Sequence, residues 1–150
     1  MTKNIFISSD HGGYNLKEKI VNFLKEKHLK VYDLGTKTNV SVDYPDFCKK
    51  LVKEIKKSEE SFGILICGTG IGMSIAANRY SFIRAALCTD KHMASLSRKH
   101  NDANVLVIGG RTTKLGLAKK MINIFLNTDF EFGRHQLRVN KITKEEGKYA

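Results

Sequence analysis

Short β-branched runs alternate along this chain with longer segments whose apolar residues recur at helical spacing. Successive βαβ units forming a parallel sheet covered on both faces have this signature. Strands are expected over 4–9, 30–34, 62–67, 84–88 and 104–108. Between them, Leu16, Ile20, Phe23 and Leu24 form one helical stripe, and Phe47, Leu51, Val52 and Ile55 a second. A third joins Leu115, Ala118, Met121, Ile122, Phe125 and Leu126, and further helix starts fall near Gly70 and Thr89. The expected architecture is α/β, doubly wound and Rossmann-like, with a five-stranded parallel sheet and helices on both faces. The only proline is Pro45 and nothing reads as an interdomain linker, so residues 1–150 are expected to form one domain.

Folds of this kind bind ligands beyond the carboxyl ends of the strands, where loops run into helix N-termini. That rule selects four loops: Asp10-His11-Gly12-Gly13, Cys67-Gly68-Thr69-Gly70-Ile71-Gly72, Cys88-Thr89-Asp90 and Gly109-Gly110-Arg111. Cys67 is the outstanding reactive group, because a helix start beside a cysteine favours the thiolate. A buried structural cysteine at a strand end is the competing reading. The glycines after it let backbone N–H groups approach a phosphate or the oxyanion of an enediolate. This loop is neither a Walker A loop, having no Lys-Ser/Thr pair, nor a dinucleotide fingerprint, whose third glycine would fall at Met73.

Other candidates carry two readings each. Asp10 and His11 suit a sugar hydroxyl and a phosphate, or else an N-cap beside a surface histidine. His100 and Asn101 end a helical segment, where C-capping is the reading that residue type and position favour. Arg134 and Arg138 stand one helical turn apart if their segment is helical, as a phosphate clamp or a solvated basic turn, and Arg111 offers a third guanidinium. Cys48 reads as core, Cys88 as a strand-end cysteine without an activating glycine loop, and His28 and His92 as solvent-facing.

Net charge is +11, spread mostly as lysine over helix faces. It favours encounter with anions, but lacks the concentrated arginine and aromatic surface of a base-reading protein, so no nucleic-acid partner is expected. No apolar run approaches bilayer length and the N-terminus lacks a secretory pattern, so the cytoplasm is the expected location and no membrane partner is foreseen. Three cysteines without paired spacing argue against a disulfide framework and a zinc site.

Taken in order, Ser9-Asp10-His11-Gly12-Gly13, Asp43-Tyr44-Pro45, Ile66-Cys67-Gly68-Thr69-Gly70-Ile71-Gly72, Ser97-Arg98-Lys99-His100-Asn101-Asp102 and Gly133-Arg134-His135-Gln136-Leu137-Arg138 resemble ribose-5-phosphate isomerase type B. The resemblance spans nearly the whole chain. It implies cofactor-free and metal-free aldose–ketose isomerisation of a sugar phosphate by a homodimer, often paired into tetramers, with active sites at the subunit interface and a C-terminal tail that helps form them. By the same resemblance Cys67 is the base that moves a proton between C2 and C1, and Gly68, Thr69, Gly70, Ile71 and Gly72 form the loop that stabilises the enediolate, with Thr69 and Arg111 as further participants. His100 serves ring opening; Asp10, Tyr44 and Asn101 contact the sugar; His11, Arg134 and Arg138 contact the phosphate. One branch of the family uses a glutamate where this chain has Met73, which leaves the role to Cys67. The alternatives are a relative acting on allose 6-phosphate or galactose 6-phosphate, and a non-catalytic phosphate- or nucleic-acid-binding module.

Overall fold

A computed structural model describes residues 3–144. The elements run β1 (Asn4–Ser9), α1 (Tyr14–Glu26), β2 (Val31–Asp33), α2 (Tyr44–Lys57), β3 (Ser61–Cys67), α3 (Ile71–Ala77), β4 (Ala85–Leu87), α4 (Lys91–Lys99), β5 (Val105–Gly109), α5 (Leu115–Asn127) and α6 (Arg134–Lys144). All strand pairings are parallel, in the order β2-β1-β3-β5-β4. The five expected strands and the doubly wound sheet are present. Two strands are shorter than expected, β2 and β4 each keeping three residues, because each lies at a sheet edge with a single partner.

Alternation along each strand divides the core into two layers. Ile5, Ile7, Ile64, Ile66, Leu106 and Ile108 pack with α1, α4 and α5 on one face. Phe6, Leu65, Cys67, Val105 and Val107 pack with α2 and α3 on the other. The stripes read from sequence are the buried ones, centred on Leu16, Ile20 and Leu24, on Leu51, Val52 and Ile55, and on Ala118, Met121, Ile122 and Phe125. Since β1 leads outward to β2 while β3 leads to the other half of the sheet, the winding reverses between β1 and β3. Their carboxyl ends diverge there and open a crevice.

Two features shape that crevice from beneath. Gly13 lies so close to β3 that an added Cβ would stand 2.5 Å from the Ile66 carbonyl oxygen and 2.7 Å from its carbon. Gly13→Ala is therefore expected to force α1 off the sheet and destabilise the protein by about 2 kcal/mol, seen as a lower melting temperature in calorimetry. Farther along, the wholly buried Lys17 ammonium pairs with both oxygens of Asp33, at 2.9 and 2.8 Å, and Asp33 also accepts from the Gly35 N–H at 2.9 Å. Burial raises the Asp33 carboxyl, but Lys17, Gly35 and Lys37 together outweigh it and hold the group below its ordinary value. This ties the chain leaving β2 to α1, and so steers the segment leading to α2.

At the far edge, the Asn78 side chain accepts from the Ala85 N–H at 2.8 Å and donates to the Ala85 carbonyl at 2.9 Å. That occupies both backbone groups of an edge residue, a standard protection against strand addition. No described helix is long and apolar enough to cross a membrane.

Candidate active site

The crevice collects side chains from three neighbouring strand ends. Register places Ser9 opposite Ile66 and Cys67 opposite Gly109. Backbone bonds continue past the strands, from Asp10 N–H to the Ile66 carbonyl (3.2 Å), Gly110 N–H to the Cys67 carbonyl (2.7 Å) and Arg111 N–H to the Gly68 carbonyl (2.9 Å). Asp10, Cys67 and Arg111 are thus held at one end of the sheet by its own ladder.

The Cys67 thiol is 5% exposed and faces the α2/α3 layer beside Met73. Chain direction reverses after it through Gly70, whose φ of +81° belongs to the left-handed region that glycine tolerates. An added Cβ at Gly70 would also meet Leu87 at 2.6 Å. The Thr69 hydroxyl accepts from the Ile71 N–H at 3.3 Å, bracing the turn, while the Ile71 side chain points outward. Tyr44 opens α2 with its ring against this loop, since a Cβ on Gly72 would stand 2.6 Å from the ring. The Arg111 guanidinium closes the other side, 3.0 Å from where a Gly68 Cβ would be.

Asp10 is not the N-cap of α1: that position is Gly13, with no side-chain cap. One Asp10 carboxylate oxygen accepts from the Gly13 N–H at 3.1 Å, so it shapes the turn into α1 while lining the crevice. His11 accepts at Nδ1 from the Val42 N–H, 3.1 Å away. A ring nitrogen that accepts carries no proton, which leaves Nε2–H as the donor His11 can offer an anion. Cys88 is excluded from comparable chemistry: burial pushes its thiol up to about 11, so it stays protonated at neutral pH, and Cys48 behaves likewise.

His100, Asn101, Arg134 and Arg138 are elsewhere. Helix α4 starts at the carboxyl end of β4, where the Asp90 carboxylate caps it by accepting from the Met93 N–H at 2.7 Å, and it runs back to the amino end. Asn101 there meets Arg84, which immediately precedes β4. Four residue steps along β5 take the chain from Val105, level with Gly63, to Gly109, level with Cys67. The two ends of the sheet are thus roughly 13 Å apart before the loops are counted. In a single copy, the ten candidate residues at the glycine loop and the four around His100 form two separate groups at opposite ends of the sheet.

The second group is organised around a residue to which the sequence motif assigns no role of its own. His135 is buried on the inner stripe of α6 with Val139, and its ring stacks on His100 at 4.1 Å between centroids and 10° between planes. Desolvation, then His100 and Arg134, hold the His135 imidazole below its ordinary value, while Glu131 opposes the shift. Its i,i+4 relation to Val139, inside a segment where Arg134 and Arg138 face solvent, is the signal that could have revealed it. Donor atoms of His100, Glu131 and His135 lie within 4.8 Å of one another. Face-to-face rings send their in-plane lone pairs side by side rather than toward one point, and the nearby cations Lys99, Arg134 and Arg138 oppose a divalent ion. The arrangement suits a positioned imidazole and an anionic ligand better than a metal.

The family model for ribose/galactose isomerases matches residues 5–142. The chain belongs to the ribose/galactose isomerase family. It is accordingly a sugar-phosphate isomerase. Ribose-5-phosphate isomerase B of Escherichia coli is 44% identical to it, covering 96% of this chain and 97% of that one. Among solved structures, Clostridium thermocellum ribose-5-phosphate isomerase B superposes with a TM-score of 0.94 at 52% identity, covering 98% of this isomerase and 99% of that chain. Ribose-5-phosphate isomerase B of Mycoplasma genitalium, solved with bound ribulose 5-phosphate, gives 0.92 at 42% identity and 97% coverage of each chain. A non-catalytic binding module is therefore set aside.

Proposed function

We propose that this isomerase interconverts ribose 5-phosphate and ribulose 5-phosphate through an enediolate, in a site that two copies of the chain complete. The observation that carries the reading is Cys67 at the winding reversal of the sheet, immediately before the 68–72 loop, which Asp10, Tyr44 and Arg111 surround. The Mycoplasma genitalium relative with bound ribulose 5-phosphate supports the five-carbon substrate.

The Cys67 thiolate removes the proton on C2 of the open-chain aldose. Electrons move into the C1 carbonyl, whose developing oxyanion is stabilised by backbone N–H groups of the glycine loop with Thr69 bracing it. Returning the proton to C1, while the C2 hydroxyl gives its own to the C1 oxygen and becomes the carbonyl, yields the ketose. The proton on carbon stays on one face of the sugar plane and no redox partner or metal enters the balance. His100, steadied by the stacked His135, opens the furanose ring. Asp10, Tyr44 and Asn101 hold the hydroxyls, and His11, Arg111, Arg134 and Arg138 hold the phosphate.

Two groups at opposite ends of one sheet can serve one small sugar only if a second copy brings its His100 end to the first copy's Cys67 end. A two-fold pairing does this twice over, giving two equal sites. Supporting it, Ile71 and Ile75 of α3, Met93 of α4, and Leu137 and Ile142 of α6 are each between 40% and 66% exposed. Large apolar side chains left in water on the elements that carry both groups suit a covered interface. Phosphorylated sugars do not cross bilayers, which fits a cytoplasmic setting.

The test is turnover of ribose 5-phosphate by purified protein in the presence of a chelator, beside allose 6-phosphate and galactose 6-phosphate. Preferred turnover of the pentose phosphate is expected. A hexose phosphate accepted in its place would keep the chemistry and move the substrate, while dependence on added metal would overturn the thiolate mechanism.

A further inference from the structure

The turn carrying His100 and Asn101 is gripped by two arginines through one carboxylate. Asp102 follows these residues with φ of 46°, and its N–H closes the end of α4 on the Arg98 carbonyl at 3.2 Å. This left-handed helix stop is ordinarily made by glycine. Here a carboxylate stands in the position and both of its oxygens are used. Oδ1 accepts from Arg98 Nη1 at 2.9 Å, and Oδ2 from Arg84 Nη2 at 3.2 Å.

Each guanidinium is itself anchored. Arg98 is 5% exposed, lies over the Phe62 ring at 4.9 Å and the Phe125 ring at 5.7 Å, and donates to the Ala103 carbonyl at 2.6 Å and the Thr128 carbonyl at 3.2 Å. Arg84 donates through Nε to the carbonyls of Asn101 (3.1 Å) and Asp102 (2.9 Å). One guanidinium therefore fixes the turn to the core and to the chain that leads into α6, while the other fixes it to the start of β4. A helix stop alone needs neither arginine.

We infer that Asp102, held between Arg84 and Arg98, is a positioning residue for catalysis: it sets the placement of His100 and Asn101 without touching the substrate. This rests on the reading of His100 as the ring-opening residue. Two substitutions separate positioning from helix termination. Asp102→Gly keeps the residue type that the left-handed stop favours and removes the carboxylate. Asp102→Asn keeps the shape and tolerates the backbone, but offers one acceptor and one donor where two donors converge.

The experiment measures kcat and KM for both variants, alone and combined with His100→Ala, on protein shown by circular dichroism and gel filtration to be folded and assembled. Both variants are expected to lower kcat on the order of 10- to 100-fold, since a displacement of about 1 Å has that effect. In the His100→Ala background the further loss should shrink to a few-fold, because the residue it acts through is gone. Parental kcat in either folded single variant, or losses that multiply fully with His100→Ala, would overturn the inference. If His100→Ala alone kept parental turnover, the ring-opening assignment would fall first and this inference with it. Should Asp102→Asn fail to fold, Arg84→Lys, which swaps a fork for a point donor at a partly exposed site, is expected to show the same kcat loss and the same dependence on His100, and parental kcat there would be equally decisive against it.

Discussion

Cys67→Ala is expected to reduce turnover of ribose 5-phosphate to near the limit of detection while the protein still binds the sugar phosphate. Losing the proton-transferring group should lower kcat by at least about 10²- to 10⁴-fold. The fold should survive, because the thiol packs among Met73, Leu65 and Val107 and its removal leaves a void smaller than one methylene-rich side chain, worth about 1 kcal/mol. The phosphate contacts proposed above do not depend on it, since His11, Arg111, Arg134 and Arg138 belong to other segments. Titration calorimetry with ribose 5-phosphate and a stopped turnover assay check the two halves of this expectation. Near-parental turnover would remove Cys67 from the base role, and a lost heat of binding with an intact melting curve would show that it shapes the pocket instead.

The second large effect is restoration of activity. Cys67→Ala and His100→Ala are each expected to be nearly inactive, yet coexpressed in equal amounts they should recover about a quarter of parental turnover per site. Random pairing makes half of the dimers mixed, and each mixed dimer carries both defects in one site and neither in the other. The expectation comes from the geometry of one copy, where the sheet holds Cys67 and His100 at opposite ends. Mixing after assembly would test exchange between copies rather than site composition, so coexpression with differently tagged chains is the direct measurement. Isolated mixed dimers without recovered turnover would mean that both residues act from the same chain.

The parts of the site that could be read from sequence share one property: they are local. Cys67 stands beside its glycine loop in the chain, and Asp10 beside His11, so strand-end position and spacing sufficed to bring them forward. His100 and Arg138 were recognisable only because several motifs in order resembled a known family. Spacing left each with a structural reading that the coordinates partly uphold, since His100 does end α4 and Arg138 is exposed. His135, Arg98 and Asp102 stand inside those motifs and Arg84 at a strand start, but spacing gives none of them a role of its own. Their roles depend on partners distant in the chain: Arg84 meets Asp102 across 18 residues and Arg98 meets Thr128 across 30.

Periodicity determined the class of fold, because apolar spacing of two or near 3.6 leaves little choice of element, and alternation of elements leaves little choice but a parallel sheet. It also determined which face of each helix is buried. Strand order, and with it the winding reversal between β1 and β3, came only from the tertiary structure, since parallel neighbours are chosen by packing across the whole sheet rather than by local spacing. The same holds for the division of the site into two groups. A helix that returns antiparallel to its strand carries its last residues to the other end of the sheet, and motifs that read as one list in the sequence are separated by the length of a strand.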